Sequence, residues 1–86
     1  MKNYCLYNPI AGNENSKEKL KKLSEILTDG EVVFIDVTKT TYSEVMPRIN
    51  HEDKIIICGG DGTLNKFVNA VDKLPENKIY LYATGT

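Results

Sequence analysis

Four short apolar runs, separated by stretches of helical periodicity, constrain the fold more than any other feature of this chain. The runs cover residues 4–7, 32–35, 55–58 and 79–82, and they are rich in the β-branched and aromatic residues that favour strands. Strands that alternate with helices form a parallel sheet with helices on its faces. The sequence therefore predicts a three-layer α/β fold, with a mostly parallel sheet and the order β-α-β-α-β-α-β.

The stretches between the runs predict two regular helices and one irregular helix. Apolar residues recur with helical spacing at Leu20, Leu23 and Leu27 in the first stretch, and at Leu64, Phe67, Val68 and Val71 in the third. Ser16 is a candidate N-cap of the first helix. Pro47 lies in the middle stretch and removes a backbone donor, so we expect a short or distorted helix there. The run 32–35 is apolar throughout, which is typical of a strand covered on both faces.

Composition excludes several classes of protein. The 86 residues have room for one small core, and their net charge of −1 gives no field that would attract nucleic acid. No apolar run approaches the roughly 20 residues of a membrane span. The N-terminus lacks the apolar segment of a signal peptide, which favours the cytoplasm. Cys5 and Cys58 have no metal-ligand spacing, so we expect no metal site at them, and they are predicted to be buried, reduced thiols.

The chain ends at Thr86, just after the fourth predicted strand. No helical stretch follows that strand to close the unit. We therefore expect residues 1–86 to be the N-terminal part of a longer protein. A fourth strand left at an edge would also favour self-association into a homo-oligomer.

The loop Gly59-Gly60-Asp61-Gly62-Thr63 joins the most strand-like run to a helix. Ligands of such folds bind at the carboxyl ends of the strands. The glycines let a ligand approach the backbone, and the unpaired N–H groups of the following helix suit phosphate. Asp61 would then bind Mg²⁺, accept a hydrogen bond from a substrate hydroxyl, or polarise a nucleophile. The alternative is a tight turn in which Asp61 only caps the helix.

Four motifs in order resemble the diacylglycerol kinase catalytic domain, which sphingosine kinases and bacterial lipid kinases share. Residues 59–65, followed by Val68-Asn69, look like its GGDGTLN motif, and residues 8–12 resemble the N-P-x-x-G that follows its first strand. Thr38 stands where the family has a threonine that contacts the nucleotide. Gly85-Thr86 resembles the end of its P-x-G-T motif. The fold would then be that of the nucleotide-binding domain found in diacylglycerol kinases, NAD kinase and 6-phosphofructokinase.

The resemblance implies an ATP- and Mg²⁺-dependent kinase that phosphorylates a lipid hydroxyl, as in lipid metabolism and phospholipid biosynthesis. Asp61 would be the catalytic residue of this part, and the general base would lie in a second, β-rich domain. The nucleotide-binding residues would be Asn8, Thr38, Gly59, Gly60, Asp61, Gly62, Thr63, Leu64, Asn65, Lys66 and Thr86. The missing domain would meet the lipid at a membrane surface, which implies peripheral contact with the inner face of the membrane. Residues 1–86 alone are expected to bind nucleotide weakly and to transfer no phosphate.

Two other functions are compatible with the same sequence motifs. NAD kinase shares the GGDGT element, although residues 8–12 and 64–69 are closer to the lipid kinases. A non-catalytic nucleotide-binding or protein-interaction domain is the other alternative.

Overall fold

The computed structural model describes residues 1–8, 15–71 and 75–82, with the side chains of all but residues 15–17 and 61. The strands are β1 (Lys2–Tyr7), β2 (Glu31–Asp36), β3 (Lys54–Cys58) and β4 (Ile79–Tyr82). The helices are α1 (Asn15–Ile26), α2 (Tyr42–Val45), which continues as a 3₁₀ turn over Met46–Arg48, and α3 (Asp61–Ala70). The predicted alternation of strands and helices is confirmed.

All four strands are parallel, and their order in the sheet is β2-β1-β3-β4. The register aligns the last residues of the strands in one row across the sheet, namely Asp36, Tyr7, Cys58 and Tyr82. The loops that follow the strands therefore emerge at a single edge. The opposite edge carries the strand beginnings.

Two apolar clusters fill the layers above and below the sheet. Phe67 of α3 and Val45 of α2 are buried with Leu6 and Ile57 on one face. Leu23 of α1 is buried against the other face. Because β1 and β3 are the central strands, their residues are covered on both sides, and this is where the core lies. The structure is thus the three-layer α/β fold that the sequence predicts.

Of three local sequence predictions, one is confirmed and two are wrong. Pro47 does produce the expected distortion, since it lies in the 3₁₀ turn that ends α2. Ser16 is not the N-cap of α1, because that helix begins one residue earlier, at Asn15. The prediction that the second strand is covered on both faces is wrong. It lies at the edge of the sheet, and Phe34 is 39% exposed.

The two cysteines confirm the sequence prediction. Cys5 and Cys58 are free and buried on neighbouring strands, on the face covered by α1. The Cys58 thiol donates to the Ile56 carbonyl at 3.9 Å, and interaction with the neighbouring Cys5 thiol, together with burial, raises the pKa of Cys58. Cys58 is therefore an inert thiol of the core at neutral pH.

Side-chain hydrogen bonds connect the elements at the edge where the strands begin. Asp53 is only 3% exposed and accepts backbone N–H groups from Lys2 at 2.7 Å and Asn50 at 2.9 Å. The Glu31 N–H reaches the Met1 carbonyl at 3.4 Å. These contacts fix the first residues of the chain to the start of the sheet.

The helices of the described residues are all short. The longest, α1, has 12 residues, and in this part of the chain no helix has the length and apolar character that crossing a membrane requires.

Candidate functional site

The sheet changes winding direction between β1 and β3. The helix after β1, α1, packs on one face of the sheet, and the helix after β3, α3, packs on the other. Neighbouring strands whose following helices diverge leave a crevice at their carboxyl ends, which is where open α/β sheets bind ligands. Asn8 and Gly59 follow the paired residues Tyr7 and Cys58. They stand at the two sides of this crevice.

Gly59 begins the loop with a backbone conformation that favours glycine. Its φ is +153°, and its N–H extends the sheet ladder by donating to the Tyr82 carbonyl at 3.0 Å. A Cβ on Gly59 would lie 2.5 Å from Thr63 Oγ1. Thr63 is only 7% exposed, so its side chain fills the space beneath the loop. Glycine at position 59 is therefore required by the turn and by its close packing against Thr63.

Gly60 and Gly62 differ from Gly59 because a Cβ on either would meet no atom of the described residues within 4 Å. Both residues are exposed. Packing against the described part of the chain thus gives no reason for glycine at these two positions. Their backbone is accessible to an external group, and a ligand lying against the start of α3 would explain their lack of side chains.

The first turn of α3 has its donors directed at this open space. Gly60 is the N-cap residue, and it has no side chain with which to cap the helix. The N–H groups of Thr63 and Leu64 both donate to the Gly60 carbonyl, at 3.1 and 3.3 Å. The N–H groups of Asp61 and Gly62 precede the first intrahelical bonds, and an anion is their natural partner. Gly60 occupies the N-cap position, and the Asp61 side chain lies outside the described residues, so the alternative in which Asp61 only caps the helix stays a prediction.

Other predicted residues of the loop and helix fall into different environments. Leu64 packs against the core, so its contribution to a ligand site would come from its backbone. Asn65 and Lys66 are exposed on α3. The Asp61 side chain and Thr86 lie outside the described residues.

Thr38 lies at the same edge of the sheet, after β2. Its N–H donates to Asp36 Oδ1 at 2.9 Å, and its hydroxyl donates to the same oxygen at 2.5 Å. The Thr38 hydroxyl is the main cause that lowers the pKa of the Asp36 carboxyl. The sequence places Asp36 at the end of the strand near Thr38, as a lesser candidate for contact with a ribose or adenine, but the hydrogen bonds between the two residues were not predicted. An acidic residue two positions before a threonine at a strand end was the available signal.

The family of the chain follows from a comparison over nearly its whole length. The family model described as "Diacylglycerol kinase catalytic domain" matches residues 2–85. The chain belongs to the diacylglycerol kinase catalytic domain family. Neither the comparison with curated proteins nor that with solved structures gave a match.

The diacylglycerol kinase catalytic domain is a kinase domain, and this membership implies ATP as a substrate. The loop after β3 fits the phosphates of such a substrate on structural grounds. Gly60 and Gly62 leave room beside the backbone, and the first turn of α3 supplies N–H donors. Mg²⁺ would need an oxygen ligand, and in the sequence the Asp61 carboxylate comes between these two glycines.

Proposed function

We propose that this chain is the ATP-binding part of a lipid kinase that transfers the γ-phosphate of ATP to a lipid hydroxyl, as diacylglycerol kinases do. The observation that carries the proposal is the glycine-rich junction between β3 and α3. Gly60 and Gly62 are open to solvent at the crevice of the sheet, in a chain matched to this kinase family over residues 2–85.

The proposed chemistry assigns separate tasks to the residues of the loop. Phosphoryl transfer depends on positioning and on neutralising charge more than on covalent chemistry. The N–H groups at the start of α3 bind and orient the phosphates. The Asp61 carboxylate would hold the Mg²⁺ that accompanies ATP, and the ion would offset the negative charge of the transferred phosphate.

Titration of the 15N-labelled chain with ATP and Mg²⁺ tests the proposal. Amide shifts centred on residues 59–63, larger for ATP than for NAD, are the expected result. ADP serves as a comparison that measures the contribution of the γ-phosphate. Unchanged amide positions at this loop in a folded chain at millimolar ATP would contradict nucleotide binding by residues 1–86. A preference for NAD would favour an NAD kinase-like function instead.

The acceptor assay follows once nucleotide binding is established. We propose diacylglycerol or a related lipid as the acceptor, met at the inner face of the membrane by a protein of the cytoplasm. Vesicles that contain diacylglycerol, incubated with radiolabelled ATP and protein that carries residues 1–86 with the rest of its catalytic domain, should yield labelled lipid. Soluble sugars or NAD becoming labelled instead would refute the lipid assignment.

Self-association is proposed through β4, an edge strand of the described sheet. Its apolar residues Ile79, Tyr80 and Leu81 are exposed, Leu81 by 50%. Unpaired edge strands with exposed apolar side chains tend to pair with other chains. Light scattering should show a dimer whose dissociation is promoted by the variant Leu81→Lys. A monomer at high concentration would contradict this proposal.

A further inference from the structure

We infer that Asp36 is a positioning residue that fixes the Thr38 hydroxyl as a hydrogen-bond acceptor, and that this arrangement selects a nucleotide whose base presents an exocyclic amino group to it, as adenine does. The inference rests on the proposed function, because it assumes that a nucleotide occupies the crevice. It goes further by assigning a role to a carboxylate that itself need not touch the ligand.

Asp36 and Thr38 lie at the carboxyl edge of the sheet, where the glycine loop also begins. Asp36 is the last residue of β2 and pairs with Tyr7, which in turn pairs with Cys58. The turn that contains Thr38 and the loop at Gly59 therefore emerge from the same edge, about 10 Å apart across two strand spacings. A nucleotide whose phosphates lie at the start of α3 would reach this turn with its base.

The hydrogen bonds between Thr38 and Asp36 have a fixed direction. A hydroxyl has one proton to donate and two lone pairs with which to accept. The Thr38 proton is committed to Asp36 Oδ1, at an oxygen–oxygen distance of 2.5 Å, and the Thr38 N–H holds the same oxygen at 2.9 Å. An ionised carboxylate only accepts, so the direction of this bond is unambiguous. What Thr38 offers to a ligand is therefore a lone pair.

The orientation of the Thr38 hydroxyl persists at neutral pH because the Asp36 carboxyl stays ionised. Hydrogen bonds from Thr38 lower the pKa of Asp36 from its ordinary value of 3.8. The carboxyl is thus ionised throughout the physiological range, and the orientation of Thr38 does not switch with small changes in pH. Thr38 is exposed, so its side chain is accessible to a ligand in the crevice.

The chemical consequence is discrimination between bases. Adenine carries an amino group where hypoxanthine carries a carbonyl oxygen. The amino group can donate to the Thr38 oxygen, whereas the carbonyl would face a second acceptor. A site built to pair with that amino group disfavours an analogue with a carbonyl in its place, because the Thr38 oxygen then faces an acceptor and is left unpaired.

Binding of ATP and of inosine triphosphate, each with Mg²⁺, measures this discrimination because the two ligands carry the same charge. The intact chain should bind ATP about tenfold more tightly, the equivalent of one hydrogen bond. Asp36→Ala frees the hydroxyl to donate, so the preference should fall to about threefold or less. Thr38→Val should lose the preference as well, and Thr38→Ser should retain it.

Asp29→Ala is the matched control. It removes the same charge from an exposed carboxylate at the other end of the sheet, where Asp29 pairs with Lys54, and its preference for ATP should equal that of the intact chain. If Asp36→Ala weakens both nucleotides equally, Asp36 only shapes the turn and the inference is wrong. If neither nucleotide shifts the amides of residues 59–63 in the intact chain, the proposed function fails and the inference fails with it.

Discussion

The Thr63 side chain lies directly against the Cα of Gly59, so closely that a Cβ on Gly59 would come within 2.9 Å of Thr63 Cβ. This contact joins the end of β3 to the first turn of α3. It also fixes the direction in which the intervening loop leaves the sheet. The packing of these two residues is therefore what places Gly60 and Gly62 in open space.

Gly59→Ala should destabilise the protein for two reasons. The φ of +153° is unfavourable for alanine, and the new methyl group would displace Thr63. Backbone strain of this kind costs about 1–3 kcal/mol. Urea denaturation would measure the loss.

Gly62→Ala is the matched control for that substitution. Among the residues that the structure describes, its Cβ would meet no atom within 4 Å, and alanine is the better helix former by about 1 kcal/mol. Its stability should be unchanged or higher, while ATP should bind more weakly because the methyl group enters the space proposed for phosphate. Equal stability of the two variants would show that the contact between Gly59 and Thr63 does not constrain the loop.

Asp61→Ala should remove the dependence of ATP binding on Mg²⁺. In the intact chain, Mg²⁺ should tighten binding, since its charge would offset the repulsion between the Asp61 carboxylate and the phosphates. In the variant, binding with Mg²⁺ and with a chelator should be similar. Isothermal titration in both buffers gives the comparison, and thermal melting should show a change in stability of under about 1–2 kcal/mol, the range for a lost helix cap. A variant with undiminished Mg²⁺ dependence would remove Asp61 from metal binding.

Asp53→Asn should weaken the fold. Burial opposes ionisation of Asp53, but the N–H groups of Asn50 and Lys2 outweigh this effect and lower its pKa below the ordinary value of 3.8. The unfolded state therefore takes up the proton first as the pH falls. The stabilisation of the fold by the ionised Asp53 carboxylate is complete above pH 3.8. It is lost as the pH falls through the lowered pKa of the folded state.

The expected cost of Asp53→Asn at pH 7 is about 1–3 kcal/mol, the range for a buried donor left unpaired. The difference from the intact protein should shrink in acid. Glu52→Gln removes the same charge from the exposed neighbouring residue and should leave stability within about 0.5 kcal/mol. Denaturation curves at pH 7 and below pH 4 would reveal the contrast. Identical curves for the two variants would contradict a role for Asp53 at this edge.

Cys5 and Cys58 should resist thiol reagents until the protein unfolds. Both are buried in the core, and the raised pKa of Cys58 keeps its thiol protonated. Ellman's reagent should therefore react at the rate of unfolding in native buffer, and with both thiols at once in denaturant. Rapid reaction under native conditions would show that the face covered by α1 opens.

The sequence predicts the order of the strands and helices because the composition of each apolar run by itself favours a strand. Residues 55–58 are apolar throughout and do form a central strand, and Pro47 does end α2 in a 3₁₀ turn. The run 32–35 has the same character yet lies at an edge. The position of a strand in a sheet depends on the crossovers, and local composition does not record these.

In the candidate site, too, the local sequence predicts some features, whereas others depend on tertiary packing. The glycines after β3 are visible as a motif, and their place at the carboxyl edge follows from the strand order. The different roles of Gly59 and Gly62 are not visible, since they depend on where the Thr63 side chain packs. The hydrogen bonds from Thr38 to Asp36 are local by contrast, since an aspartate that binds the N–H two residues further on is a common turn pattern, and they could have been predicted from these two residues.

The attachment of Met1 and Lys2 to the beginnings of other strands has a practical consequence for labelling. A fluorophore on the first residue would stand beside Gly30 and Glu31, a full strand length from the glycine loop. Its emission should respond when the protein melts and remain constant when a nucleotide enters. An affinity tag at that terminus would disturb refolding yields before it altered ligand titrations. A dye meant to follow nucleotide binding belongs on the exposed outer side of α3, for example at Asn69.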